Sequence, residues 1–388
     1  MSAPVQNGIF QIETVLSEGS ARTGSLLLPH GSVDTPAFMP VGTAGSVKAI
    51  HHATVAELGY SLILGNTYHL FLRPGLDVIR RFGGLHGFSS WNQNILTDSG
   101  GYQVFSLEGL RKISDDGVLF QSHIDGSRHQ FTPESVVEAQ VAFNSDIQMA
   151  LDVCTAPEVN HHEAAEALRI TTQWARRAKA AWSLARENGY QGHLFPIIQG
   201  NFFHDLRRQS AEEILELGLP GIAIGGLSVG ESPEVFREFL YETARYLPPQ
   251  LPHYLMGIGT PDYIFDAVSA GIDMFDCVFP TRIARNGTVL TPDGRLVLKA
   301  ERLRMDDGPI EEGCDCRACR VYSRGFLRHL FKSGELLGPM LATEHNLAYL
   351  GRLMQSIRTA IRDQRYNAYR KATLDRYEAG ERERRARG

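Results

Sequence analysis

The sequence predicts an α/β fold closed into a (β/α)8 TIM barrel, with an antiparallel hairpin before it and a small cysteine-rich subdomain towards the carboxyl end. Three observations carry this expectation. Eight short apolar runs recur along the chain, the segments between most of them have helical spacing, and polar residues or glycines stand at the end of each run. Continuous apolar strands alternating with helices are the pattern of buried parallel strands, and eight of them favour a closed ring over an open sheet.

Taken in order, residues 9–29 alternate apolar and polar around EGSA, which reads as a hairpin ahead of the main fold. The runs follow as PAFMPV (36–41), SLILG (61–65), NILT (94–97), DIQMALD (146–152), HLFPIIQ (193–199), GIAIG (221–225), HYLMG (253–257) and DMFDCVF (273–279). A helix is expected over 133–144, where Thr132 precedes Pro133 as cap and first turn, with further helices over 202–218 and 232–247. Between the third and fourth runs, FQSHIDGSRHQF reads as an inserted hairpin turning at Asp125-Gly126. The cysteine-rich subdomain is expected over about residues 290–350, overlapping a helical segment over about 343–375, all within one barrel domain spanning 1–388. The charged end YEAGERERRARG has no apolar anchors and is expected to fray.

An apolar share of 43% with 21% charged residues is that of a globular chain with ample core. The first residues lack a basic start followed by an apolar run, and no stretch is long enough to span a bilayer, so a cytoplasmic protein is expected. Five cysteines cannot form a disulfide framework in so long a chain. The net charge of −5 gives no global reason to bind nucleic acid, yet residues 282–332 hold eleven Lys/Arg against seven Asp/Glu. A local basic surface of this kind suits a polyanion, and it is also common on solvated surfaces.

Barrel enzymes carry chemistry at the carboxyl ends of their strands. Here those ends bring together Gly42-Thr43, Asn66-Thr67, Asp98-Ser99, Asp152, Gln199-Gly200, Gly225-Gly226, Gly257 and Asp276. In TDSGGYQVFSL (97–107), Asp98 precedes two glycines that permit close approach of a flat ligand, and Tyr102 can stack on it. The bland reading is a tight turn with an Asp cap. Asp276 sits in an apolar run, where a carboxylate is costly unless paired or chemically employed; Arg282 and Arg285 close behind either neutralise it or hold phosphates. GGLSVGE (225–231) lacks the lysine and spacing of a nucleotide-binding loop, so its glycines read as exposing backbone groups to a ligand edge. Cys314, Cys316 and Cys319 are three soft ligands within six residues, and tetrahedral zinc needs one more, from His329 or His345. With four protein ligands such a site is structural.

TDSGGYQVFSL, DVCT, PIIQG, GIAIGGLSVGE, YLMGIGTP, DMFDCVFPTRIARNG and CxCxxC with a downstream TEHN, in this order from about residue 8 to about 370, resemble the bacterial-type tRNA-guanine transglycosylases. The resemblance implies a (β/α)8 barrel with a zinc subdomain. It also implies exchange of the wobble guanine of tRNA for 7-aminomethyl-7-deazaguanine (preQ1), a step of queuosine biosynthesis. By the same resemblance Asp276 is the nucleophile and Asp98 the general acid/base, a double displacement like that of a retaining glycosidase. Asp152, Gln199 and the Gly226 backbone would read the purine edge, and Tyr102 and Met256 would sandwich it. The Leu227 carbonyl, with Glu231 nearby, would receive the aminomethyl ammonium, while Cys154 and Val229 flank the pocket. Arg282 and Arg285 would contact RNA, and one Zn2+ per subunit would sit on Cys314, Cys316, Cys319 and His345 rather than His329. A homodimer packed around the zinc subdomain is expected, with Tyr322, Phe326 and His329 serving either that contact or the core. The family commonly has an acidic residue after the purine-reading Asp, and here that place is Val153.

Three other readings compete. A non-catalytic RNA-binding subunit of the same family would not need both Asp98 and Asp276. A zinc-dependent barrel hydrolase needs ligands at the mouth, and PAFMPVG offers none. An archaeal-type relative would carry further carboxyl-terminal RNA-binding domains, for which little chain remains after the zinc subdomain.

Overall fold

Each of the eight apolar runs forms a strand in the computed structural model, which describes residues 8–106 and 109–387. The strands are β1 (Ala37–Pro40), β2 (Leu62–Asn66), β3 (Asn94–Asp98), β4 (Ile147–Met149), β5 (His193–Phe195, resuming as Ile197–Ile198), β6 (Ile222–Ile224), β7 (His253–Leu255) and β8 (Met274–Cys277). All neighbours pair in parallel, and β8 pairs with β1 from Met274↔Ala37 to Cys277↔Pro40 to close the ring. The β1–β2 seam is held by a Val41↔Leu64 bridge and by the Gly42 amide, 2.7 Å from the Leu64 carbonyl. β5 breaks at Pro196, which has no N–H to give; its first half pairs with β4 and its second with β6. The architecture is a (β/α)8 barrel, as the strand pattern implied.

Inside the ring, Met39, Leu64, Leu96, Met149, Phe195, Ile197, Ala223, Tyr254 and Met274 pack into one buried cluster with Phe10, Leu26, Leu28 and Val33 of the amino-terminal sheet. That sheet therefore plugs the barrel end opposite the strand carboxyl termini. Two polar clamps fix it there. Arg22 forks onto buried Asp273 (2.6 and 2.9 Å), and His30 Nδ1 lies 2.6 Å from Asp146, stacked on His86 at 3.6 Å. The sheet has one strand more than the expected hairpin: Gly31–Thr35 joins Phe10–Val15 and Arg22–Leu28. Its five residues follow a two-residue turn and are too few to show a period.

The helix after Thr132 runs from Pro133 to Phe143 with a capping box, and those expected after β5 and β6 span His204–Leu215 and Pro233–Ala244. The inserted hairpin turns through Asp125 and Gly126 as expected, but Arg111–Ser114 adds a third strand beside Gly117–Gln121 and Arg128–Phe131. Residues 1–7 and Leu107, the last residue of the 97–107 motif, lie outside the described residues.

After β8 the chain forms a short hairpin (Thr288–Thr291, Gly294–Val297), the cysteine-bearing segment, and a long helix Leu337–Arg362. The expected fraying of the end is overturned: Tyr366–Arg387 is helical. Polar contacts replace apolar anchors there. Glu381 accepts from the Arg295 amide (2.6 Å) and guanidinium (2.7 Å), and Arg376 pairs with Asp293 (2.6 Å). No helix of the described residues is long and apolar enough to cross a membrane.

Candidate active site and metal centre

The mouth formed by the strand carboxyl ends holds three carboxylates, Asp152 buried and Asp98 and Asp276 half-buried, each in a different hydrogen-bonding state. Asp98, ending β3, has both oxygens occupied: Oδ1 accepts from the amides of Thr67 (2.9 Å) and Gly100 (3.2 Å), and Oδ2 from Asn66 Nδ2 (2.5 Å). Asn66 is itself held by His69, whose Nδ1 lies 2.6 Å from its Oδ1. Burial drives the Asp98 pKa up to about 7, the Thr67 amide opposes this, and the charge of Asp276 adds to the rise.

Asp276, on β8, is bound on one oxygen only. Oδ1 accepts from the Tyr254 hydroxyl (2.6 Å) and the Gly257 amide (2.9 Å), while Oδ2 has no partner among the described residues. Burial raises its pKa, and the Tyr254 hydrogen bond works against that. The ion-pair alternative for Arg282 and Arg285 is not realised: neither pairs with Asp276. Both lie on helix Phe279–Arg285, Arg282 exposed and Arg285 with a buried Nη1 that has no partner.

Asp152 accepts from Gln199 Nε2 (2.7 Å), Ser99 Oγ (3.3 Å) and Cys154 Sγ (3.5 Å), and burial raises its pKa. Gly101 lies against it so closely that a Cβ there would stand 2.7 Å from its Oδ1. Gly226 has φ +67 and would bring a Cβ within 2.7 Å of Gln199 Oε1. The structure thus gathers Asp152, Cys154, Gln199 and Gly226 into one patch. Tyr102 is 58% exposed at the start of helix Gly101–Phe105, and Met256 is half-buried just after β7. Leu227 is buried and Val229 half-buried in the loop after β6. Glu231 does not stand free beside a ligand: it accepts from the amides of Ser228 (2.5 Å), Val229 (2.8 Å) and Gly230 (3.1 Å) and so fixes its own loop. Val153 packs in an apolar cluster with Leu151, Ala167 and Trp174.

Cavity size alone would mislead. A cavity of about 1020 Å³ lies near the starts of β1 and β2 against the long helix Leu337–Arg362, with none of the three carboxylates in its walls.

Cys314, Cys316, Cys319 and His345 are all buried, with ligand atoms within 4.8 Å of one another. The three sulfurs lie 3.8, 3.5 and 3.3 Å from His345 Nδ1. Tetrahedral bonds of typical zinc length imply sulfur–nitrogen separations of roughly 3.6 Å, so the cluster fits a metal ion. His345 Nε2 meets the Leu290 carbonyl at 2.8 Å, which leaves Nδ1 as the ligating atom. His329 is exposed on another helix and takes no part.

A family model described as queuine tRNA-ribosyltransferase matches residues 17–379. The chain belongs to this family. The queuine tRNA-ribosyltransferase of Borrelia hermsii is 55% identical over 361 residues, covering 93% of this chain and 96% of that protein. The relative from Treponema denticola is 53% identical over 371 residues (95% and 98%), and that from Caldanaerobacter subterraneus 50% over 357 residues (92% and 94%).

Sequence reasoning missed three side chains that hold these two clusters. Tyr254 reads as one more member of an apolar strand, yet its hydroxyl holds Asp276. Arg352 donates to Cys314 Sγ at 2.9 Å and to Glu311 at 2.6 Å, offsetting negative charge at the metal centre. Arg207 is fully buried behind Gly225 and Gly226. Its signal was present: Arg207, Ser210, Ala211 and Ile214 form one buried stripe at helical spacing.

Proposed function

We propose that this chain is a tRNA-guanine transglycosylase that replaces the wobble guanine of tRNAs with GUN anticodons by preQ1. The observation that carries the assignment of roles is the contrast between two carboxylates at one mouth: Asp276 has a bare oxygen, Asp98 has none. Asp276 Oδ2 attacks C1′ of the ribose as the C1′–N9 bond breaks. Asp98 gives its proton to the departing guanine, then takes the N9 proton of the incoming base. That nitrogen attacks C1′, and the ester to Asp276 breaks. A pKa near neutrality suits a group that must both give and take a proton. One glycosidic bond replaces another, so the exchange balances without a redox partner.

Asp152, Gln199 and the Gly226 backbone read the purine edge, with Tyr102 and Met256 on its two faces. The Leu227 carbonyl accepts the aminomethyl ammonium, and Cys154 and Val229 bound the space beyond it. Arg282 and Arg285 take RNA phosphates; the exposure of Arg282 on helix Phe279–Arg285, directly after β8, supports this. One Zn2+ on Cys314, Cys316, Cys319 and His345 is structural, since four protein ligands leave no open position. It would stiffen a subdomain of about residues 290–350 within a single cytoplasmic barrel enzyme. The subunits pair as a homodimer through the stacked Tyr322 and Phe326 (5.4 Å), Phe326 being 40% exposed, with His329 beside them.

The deciding experiment is denaturing electrophoresis of the protein with tRNA carrying a GUN anticodon. A protein–RNA band that survives denaturation and is chased by free preQ1 supports the reading; its absence under conditions where tRNA binds refutes it.

A further inference from the structure

Arg207 is the one fully buried arginine of the described chain, and it touches no carboxylate. Its guanidinium spends its donors on three carbonyls: Nε on Asn201 (2.8 Å), Nη1 on Gly225 (2.7 Å) and Nη2 on Gly226 (3.1 Å). Burial pulls its pKa down to about 9, with the charge of Glu231 opposing, so it remains a cation at neutral pH. A buried cation without a counter-ion is expensive, and such a cost persists where the group has work to do.

The peptide geometry shows what that work is. In a trans peptide the N–H points opposite to the C=O. Two consecutive carbonyls drawn back onto one guanidinium therefore turn the amides of Gly226 and Leu227 away from it, in a loop that borders Gln199 Oε1. The positive φ of Gly226 lets both peptides face alike. Neither amide has a partner among the described residues, whereas the Gly225 amide is used by Ile198 (3.0 Å). Paired outward amides form a concave site for an electron-rich oxygen, and a positive charge behind them strengthens both donors.

We infer that Arg207 is a positioning residue that selects the incoming base, by presenting the Gly226 and Leu227 amides to a ring carbonyl on the purine. This rests on the base-exchange reading above and extends it to specificity. A 6-oxo purine would be favoured over one bearing an amino group there, since a donor facing two donors is repelled. Arg207 itself touches no reacting atom.

The test compares the parent with Arg207→Lys and Arg207→Met in exchange of labelled guanine into tRNA, with 2,6-diaminopurine as competitor. In Arg207→Met, KM for guanine should rise about tenfold or more, kcat should fall less than KM rises, and the preference for guanine over 2,6-diaminopurine should shrink by a similar factor. Arg207→Lys keeps the charge but not the fork, so it should fall between the two. If the methionine variant does not fold, the lysine variant carries the test through its base preference. A folded variant that still forms the RNA adduct but shows unchanged guanine KM and unchanged preference overturns the assignment, as does equal loss towards both bases. A parent that forms no adduct overturns the base-exchange reading instead, and this inference with it.

Discussion

The Tyr254 hydroxyl lies 2.6 Å from Oδ1 of Asp276, and the Gly257 amide meets the same oxygen at 2.9 Å. Both donors come from β7 or the turn after it, and Asp276 from the neighbouring strand β8. One oxygen is thereby pinned and the carboxylate plane fixed, so the second oxygen is aimed without needing a partner of its own. A carboxylate held in this way would lose little freedom on attacking as a nucleophile.

Replacing Asp276 by Asn removes the attacking oxygen while keeping the side chain's size. The covalent RNA band and base exchange should disappear, with tRNA affinity within a few-fold of the parent by filter binding. A persisting band would move the nucleophile to Asp98.

Tyr254→Phe deletes one hydrogen bond to a charged group, worth about 1.5–3 kcal/mol. The rate of adduct formation should fall by roughly 10- to 100-fold, with little change in tRNA affinity. Single-turnover kinetics on denaturing gels would measure it, and an unchanged rate would show that the Gly257 amide alone positions Asp276.

The raised pKa of Asp98 makes a stability prediction with a definite sign. Its ordinary value is 3.8 and its folded value about 7, so between these limits the folded state holds the proton more tightly than the unfolded chain. The stability contribution is fully present below pH ~4 and is lost as pH rises through about 7. Asp98→Asn has no such term. Its stability relative to the parent should therefore improve between pH 5 and 7, by on the order of 2 kcal/mol. Urea titrations at several pH values would show this; a difference independent of pH would refute it.

Cys316→Ser should lose bound zinc and stability together, read by elemental analysis and thermal melting. Activity should fall because the fold or the dimer weakens. Metal-free protein that stays folded and dimeric but lacks only the chemical step would make the ion catalytic.

Val229 is half-buried two residues after Leu227, where we propose that it bounds the base pocket, and its amide is held by Glu231 at 2.8 Å, a contact that Val229→Gly retains. A bulky substituent on the aminomethyl nitrogen should collide with the valine at a cost of roughly 1–3 kcal/mol, about 5- to 150-fold. The parent should thus prefer preQ1 to queuine in displacing labelled guanine, and Val229→Gly should narrow the gap. Equal use of both bases by the parent would remove this role from Val229.

The barrel was legible because buried parallel strands are written as unbroken apolar runs, and because Asp98, Asp152, Gln199 and Asp276 interrupt such runs at their carboxyl ends. What escaped were contacts made at a distance along the chain. Tyr254 and Arg207 obey the pattern of their own elements, so only the three-dimensional partner of each hydroxyl or guanidinium reveals its task. Helix was expected to about residue 375, and its continuation to Arg387 escaped for a related reason. The anchors of that end are Glu381 and Arg376, and charged residues look like solvated surface until Arg295 and Asp293 are brought beside them.

The long helix Leu337–Arg362 carries His345 in its first half, and thirteen residues later Arg358 donates to the Pro36 carbonyl at 2.9 Å. At 1.5 Å per residue this is a strut of about 20 Å with the Cys3His cluster at one end and the entrance to β1 at the other. β1 is the strand against which β8 closes, and Asp276 pairs in register with Met39. An ion bound by this cluster would therefore act as a remote hinge pin for the barrel's last seam. Removing it should loosen amide protection along Ala37–Pro40 in hydrogen exchange before the opposite wall, β4 and β5, responds.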